Sequence, residues 1–385
     1  MRVFVAPDKF KQALAAPAVA ECLQAGIRTA RPDATCELCP LADGGDGTGA
    51  VLAGPLHAER HTSFVRGPRN EVVAAAWWVS RRGEVGIAEL AQASGLALLA
   101  RRLRDPLQTT SYGTGQVLQQ LADAGCRRIV LGVGGSATVD GGAGCLQALG
   151  WRLLGRRGAV LRTPAVGGDL RRIAGLRPPR ARWQPVLQVL CDVDNPLLGR
   201  TGAARVFGPQ KGASRATVRE LEHGLESWAA VLVREFGVDV RTLPGGGAAG
   251  GLPAGLAAAL GARLCSGFDE IARWAKLRAR LSRCDVCVTG EGRLDNQTRR
   301  GKVVAGVARL AAEAGLPTVA FIGALKLERG QTAAELQAAL GLHEVIVISP
   351  ARQQRACALR ATATNLEAAA AGWAERWTST GRATS

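Results

Sequence analysis

The chain has 385 residues, 47% of them hydrophobic and 4% aromatic, with a mean hydropathy near zero; that length exceeds one ordinary core, so two domains are expected. No apolar run approaches the roughly 18 residues of a membrane span, and the opening MRVFVAPDKFK turns charged too early for a secretory signal, so no membrane role and a cytoplasmic location are expected. The formal charge of +17 is scattered as arginine pairs with one tyrosine and little to stack bases, which argues against a nucleic-acid surface and favours small anionic substrates or simply an arginine-rich coding bias.

In chain order, Arg2 to Ala6 reads as a short strand ending in the loop Pro7-Asp8-Lys9-Phe10-Lys11, with a helix from about Pro17. Thr35 to Leu41 is a second strand, followed by Asp43-Gly44-Gly45-Asp46-Gly47-Thr48. This is a βαβ beginning, and in open α/β sheets ligands collect beyond the carboxyl ends of the strands. From His57 to Leu90 the pattern changes to alternating strands, including a hairpin through Arg81-Arg82-Gly83. Thr109-Thr110-Ser111 offers caps for a helix running through Gly115 to Asp123.

The buried run Ile129 to Val133 then breaks into six glycines between Gly132 and Gly144 before a helix at Cys145. Such a turn frees backbone N–H groups and aims a helix N-terminus at an anion. Gly132-x-Gly134-x-x-Ala137 fits a relaxed dinucleotide fingerprint, yet the window that should hold an acidic ribose ligand holds Arg152, Arg156 and Arg157. No Gly-Lys-Ser/Thr makes it a P-loop.

The strand Pro185 to Cys191 ends in Asp192-Val193-Asp194-Asn195-Pro196, with Phe207-Gly208-Pro209-Gln210-Lys211-Gly212 close behind. Gly245 to Gly251 reads as a further flexible loop before a helix at about Pro253. One helix is expected from Gly267 to Ser282, then the strand Asp285 to Thr289 closing in Gly290-Glu291-Gly292-Arg293-Leu294-Asp295-Asn296-Gln297-Thr298, and Gly301-Lys302 opening a helix. The remainder alternates: strand Thr318 to Ile322, helix Ala333 to Leu340, strand Glu344 to Ser349, and a long last helix.

The fold class predicted is α/β with two domains. A Rossmann-like parallel-sheet domain is built from both chain ends, 1–70 with 283–385, and a mixed α/β domain, 71–282, is inserted in it. Ten cysteines include Cys36-x-x-Cys39 and Cys284-x-x-Cys287, but both pairs lie in strand-like runs where residues three apart face opposite ways, so they read as reduced core residues. The four histidines avoid the glycine turns, which argues against a Ser-His-Asp hydrolase. Only six basic residues are lysines, and Lys9, Lys11, Lys211 and Lys302 sit in the punctuated loops, where a compact ammonium suits a phosphate.

What recurs at strand ends is glycine with carboxylate and lysine: Asp8 with Lys11, Asp43 with Asp46, Asp140, Asp192 with Asn195, Lys211, and Glu291 with Arg293 and Asp295. That combination suits phosphoryl transfer, in which amides and cations hold phosphates, carboxylates hold Mg²⁺, and one carboxylate takes a hydroxyl proton. The loops at 6–11, 42–48, 134–144, 191–196, 207–212 and 289–295 together resemble, in the right order along nearly the whole chain, the bacterial type-1 glycerate kinases.

The resemblance implies ATP-dependent, Mg²⁺-assisted phosphorylation of D-glycerate, usually at the 2-hydroxyl. Asp46 stands where many relatives carry glutamate, and Ala13 and Ala15 where serines are common; neither change removes a charge. Asp192 is expected to be the general base, at the end of a buried strand and oriented by Asn195. Glu291 and Asp295 would hold Mg²⁺, Lys11 and Lys211 would neutralise the moving phosphoryl group, and Arg293 would grip a carboxylate or phosphate. Asp8, Asp43, Asp140 and the Gly134, Gly135 and Ser136 turn complete the substrate and phosphate set. Phosphorylation at the 3-hydroxyl, a nicotinamide-dependent hydroxy-acid oxidoreductase and a noncatalytic anion-binding protein stand as alternatives, and a homo-oligomer is left open.

Overall fold

Val3, Phe4 and Val5 are fully buried, so the first strand can only be a central one. The structure, a computed structural model, describes residues 1–161, 164–296, 298, 302–328, 330–350 and 354–377; Gln297 and Gly301, quoted above, lie outside the described residues. Among the described residues the strands are β1 (Arg2–Val5), β2 (Thr35–Leu38), β3 (Ala58–Arg66), β4 (Val72–Ser80), β5 (Val85–Glu89), β6 (Arg128–Gly132), β7 (Arg152–Gly155), β8 (Ile173–Arg177), β9 (Val186–Leu190), β10 (Arg263–Cys265), β11 (Val286–Glu291), β12 (Thr318–Ile322) and β13 (Glu344–Val347).

The chain divides into two units, Met1–Asp43 with Phe268–Ser385, and Gly44–Gly267. In the first, the strand order is β13-β12-β11-β1-β2 and every pairing is parallel. The helix Ala16–Ala30 and the helix Thr362–Arg376 pack beside Val3, Val5, Val286, Val288, Val319 and Phe321, while Val304, Ala308, Ile322 and Leu336 form a second core cluster. The chain leaves β1 toward β2 and returns to β11 on β1's other side. The order therefore reverses between β1 and β11, which opens a crevice at their carboxyl ends.

The second unit holds a mixed sheet, β10-β9-β6-β5-β4-β3, parallel from β10 to β5 and antiparallel from β5 to β3, beside a small β7-β8 pair. Its core gathers Ile129, Leu131, Val189 and Trp228, the last on the helix Arg215–Phe236. The fold class expected from the sequence is the one observed.

Three details differ from the sequence reading. The sequence placed the boundaries at 70 and 283, where the strand pattern changes and where the βαβ style resumes, while the chain divides at 43/44 and 267/268. β3 pairs with β4 along nine residues and so goes where β4 goes, while Phe268 packs where a Cβ on Gly306 would otherwise stand. The single helix expected over 267–282 is two, Gly267–Trp274 and Leu277–Leu281, because Lys276 takes a left-handed φ of 53° without a glycine or proline to announce it. The stretch 245–251 is buried rather than a free loop: Gly250 lies so close to the backbone of Thr138 and Val139 that no side chain fits.

Gly26 lets the helix Ala16–Ala30 approach the backbone of Glu367 and the methyl of Ala370 on the last helix. Gly26→Val should separate these helices and destabilise the first unit by about 1–3 kcal/mol, read as a lower melting temperature; an unchanged melt would show that the packing there is slack.

Candidate active site

In the first unit the site grows from the ends of β1 and β11. The Asp8 N–H donates to Gly290 O at 2.8 Å, which continues the β1–β11 pairing into the loop and fixes Asp8 beside the Thr289-Gly290-Glu291 turn. Gly292 lies against the backbone of Phe10 and Lys11, so the two loops nest. Asp8, Glu291 and Asp295 are all buried.

Their electrostatics are coupled. Burial pushes the Asp8 carboxyl up to about 6; Lys9 opposes the shift and Asp43 adds to it. The Lys9 N–H donates to Asp8 Oδ1 at 2.7 Å, and its ammonium lies 3.4 Å from Asp43 Oδ1. Burial likewise drives Glu291 from 4.5 up to about 7, against the Thr298 hydroxyl, which donates to Oε1 at 2.7 Å, and against Lys302; Asp8 and Asp295 push it further up. Arg293 Nε sits 3.3 Å from Asp295 Oδ2, and Lys11 is exposed at the loop tip.

Among the described residues no three His, Cys, Asp or Glu side chains close into a cage for a metal ion. The carboxylates are nonetheless hard oxygen donors crowded into a buried place, where like charge is relieved by a cation. Mg²⁺ usually takes only one or two carboxylates and completes its shell with phosphate and water, so the donor set fits it.

In the second unit the glycine turn after β6 is held from several sides. Gly132 and Gly134 stack on the backbone of Gly44 and Gly45; a Cβ on Gly134 would stand 2.5 Å from Gly45 Cα, and one on Gly132 2.7 Å from Gly44 O. Gly135 has a φ of 74°, which sets the turn. Lys211 is buried beneath it, and its ammonium donates to Ser136 Oγ and Thr138 O, both at 2.7 Å. Burial lowers Lys211 to about 7, while Asp140 draws it back up.

Asp140 is fully buried and accepts from the Ser111 N–H and hydroxyl at 2.7 Å each, and from the Gly142 and Gly144 N–H groups at 3.2 and 3.3 Å; burial still raises its carboxyl. Ser111 therefore serves Asp140 and not the cap of its own helix, Tyr112–Asp123. At the end of β9, Asp192 Oδ1 accepts from the Gly267 N–H at 2.6 Å and the Ser266 hydroxyl at 3.3 Å. Asn195 Nδ2 donates to Thr201 O at 2.7 Å.

The structure thus brings Asp8, Asp43, Glu291, Arg293 and Asp295 together in the first unit, and Gly134, Gly135, Ser136, Asp140 and Lys211 in the second. Asp192 and Asn195 are tied to different neighbouring segments of that second unit. Among the buried acids that escaped the sequence reading is Glu89, at the end of β5, which accepts from the Gly49 N–H at 2.6 Å. Its signal was a carboxylate at the last position of an apolar strand, with no glycine after it.

The sequence profile of the Glycerate kinase family matches residues 3–378. A glycerate kinase of Halalkalibacterium halodurans is 44% identical over 326 residues, covering 84% of this chain and 85% of that one. The glycerate 2-kinase of Escherichia coli K12 is 44% identical over 331 residues, covering 84% and 86%. A crystal structure from Salmonella typhimurium LT2, assigned as a glycerate kinase 2, superposes with a TM-score of 0.83 at 37% identity over 97% of each chain.

The raised Glu291 has a measurable consequence. The folded chain keeps its proton at pH values where the unfolded chain has lost it. Its favourable contribution is therefore complete below 4.5 and lost as pH rises to about 7. Glu291→Gln should flatten that part of the stability–pH curve, by a few kcal/mol in magnitude. Chemical denaturation at pH 4.5 and pH 8 measures it, and identical curves for the two proteins would refute the assignment.

Proposed function

The chain belongs to the glycerate kinase family, and from that premise we propose that it transfers the terminal phosphoryl group of ATP to the 2-hydroxyl of D-glycerate, giving 2-phosphoglycerate and ADP with Mg²⁺ as cofactor. The observation that carries this reading is the match of the family across residues 3–378, over a chain whose strand ends hold carboxylates, lysines and glycine turns. The relative named glycerate 2-kinase supports the position phosphorylated.

Bound Mg²⁺ would neutralise charge on the ATP phosphates, and Glu291 and Asp295, with Asp8 beside them, would hold it directly or through water. Lys11 and Arg293 offer positive charge to a phosphate or to the glycerate carboxylate, and Asp43 restrains Lys9. The Gly134–Ser136 amides bind an anion; Lys211 supports it from below, since its ammonium is spent on Ser136 and Thr138, and Asp140 braces the far end of the same turn.

Asp192 takes the proton from the glycerate hydroxyl. Its Oδ1 is held by Gly267 and Ser266, which fixes the plane of the carboxylate. We assign the substrates to small molecules and the enzyme to the cytoplasm; among the described residues no helix is long and apolar enough to cross a membrane. The two units act as its two domains, and a homo-oligomer would be read by sedimentation.

Purified protein given D-glycerate, ATP and Mg²⁺ should form ADP, and phosphorus NMR of the product should show 2-phosphoglycerate. A 3-phosphoglycerate signal would move the acceptor hydroxyl, and nicotinamide reduction without ADP would overturn the kinase reading. Asp192→Asn should lower kcat by about 10²- to 10⁴-fold with an unchanged melting temperature. Near-normal turnover would remove Asp192 as the base and make Asp295 the next candidate.

A further inference from the structure

Glu89 closes β5 opposite Gly132 of β6, the residue that begins the anion turn, and only 3% of its surface is exposed. Oε1 accepts from the Gly49 N–H at 2.6 Å and Oε2 from the Gln92 amide at 3.2 Å. Gly47 and Gly49 stand at the N-terminus of the helix Thr48–Leu56, so the acid uses an orphan N–H group and the positive dipole end that a phosphate would otherwise seek.

The same segment carries Gly44 and Gly45, on whose backbone Gly132 and Gly134 rest. Thr48 ties the segment shut by donating its hydroxyl to Gly45 O at 2.6 Å, and the Trp78 ring occupies the space where Gly49 has no side chain. Glu89 is thus joined to the anion turn twice, through the β5–β6 pairing and through the Gly44–Gly49 segment.

We propose that Glu89 is a positioning residue for the kinase reaction: its carboxylate, and not a ligand, caps the helix Thr48–Leu56 and so fixes the Gly44–Gly45 backbone that shapes the Gly134–Ser136 anion seat. The phosphate or carboxylate of the substrate then lies on the turn after β6 and not on the helix after Gly47. The inference rests on the glycerate kinase reading for its substrates. Burial raises Glu89, and Asp46, the charged group that faces it, adds to the shift; the capping carboxylate is therefore protonated above the ordinary carboxylate range as pH falls.

Initial-rate kinetics of wild type, Glu89→Gln and Glu89→Ala, with D-glycerate and ATP each varied between pH 5 and 8, test this alongside melting temperatures. Glu89→Ala should raise KM for one of the two substrates about tenfold or more, with a smaller change in kcat. Glu89→Gln, which keeps an acceptor for Gly49, should recover most of that KM. A folded Glu89→Ala enzyme with unchanged KM for both substrates would overturn the proposal, as would a folded Glu89→Gln enzyme whose KM rises about tenfold or more. If Glu89→Ala does not fold, Glu89→Gln alone decides. If wild type makes no ADP from D-glycerate, the substrate reading fails separately, and Mg·ADP affinity measured by calorimetry across the same three proteins decides the role of Glu89.

Discussion

The second unit depends on backbones that touch where side chains would ordinarily stand. Gly132 and Gly134 lean on Gly44 and Gly45, and Gly250 leans on Thr138, so three stretches far apart in the chain converge on one turn. A single methyl at any of these contacts would overlap main-chain atoms, which unlike a flexible side chain cannot swing aside. The shape of the turn is therefore set by exclusion.

Charge is managed differently in the two units. Around β1 and β11, burial, with neighbouring acids adding to it, makes Asp8 and Glu291 resist ionisation, a state that a divalent cation would relieve. Beneath the β6 turn the buried group is Lys211, held near neutrality by its own desolvation and satisfied by a hydroxyl and a carbonyl. Asp8, Glu291 and Glu89 sit at a strand's carboxyl end or in the loop just beyond it, where backbone pairing stops and polar partners become available.

The parallel sheet was legible because its strands are short β-branched runs that stop abruptly in glycine or acid; β12 begins and ends where the sequence placed it. The acidic and glycine-bearing loops were legible for the same reason. What escaped depends on contacts made at a distance. Glu89 reads as one more strand residue until the Gly49 N–H arrives from forty residues away. Lys211 stood out by its rarity, but nothing local indicates that its ammonium points into the protein. The left-handed Lys276 breaks a helix at a position whose neighbours favour helix, and the unit boundary at 43/44 falls inside one continuous Asp-Gly-Gly motif.

The position of β1 also governs the order in which the molecule can be assembled. Its flanking partners are β2, close by, and β11, which begins at Val286. At ribosomal speeds of about 5–20 residues per second, the first strand waits roughly 15–60 seconds for that neighbour to be made. The intervening unit, contiguous from Gly44 to Gly267, is complete by then. A nascent chain would thus carry an apolar N-terminal strand with one side of its ladder open, which makes the opening βαβ segment the natural client of a chaperone during synthesis.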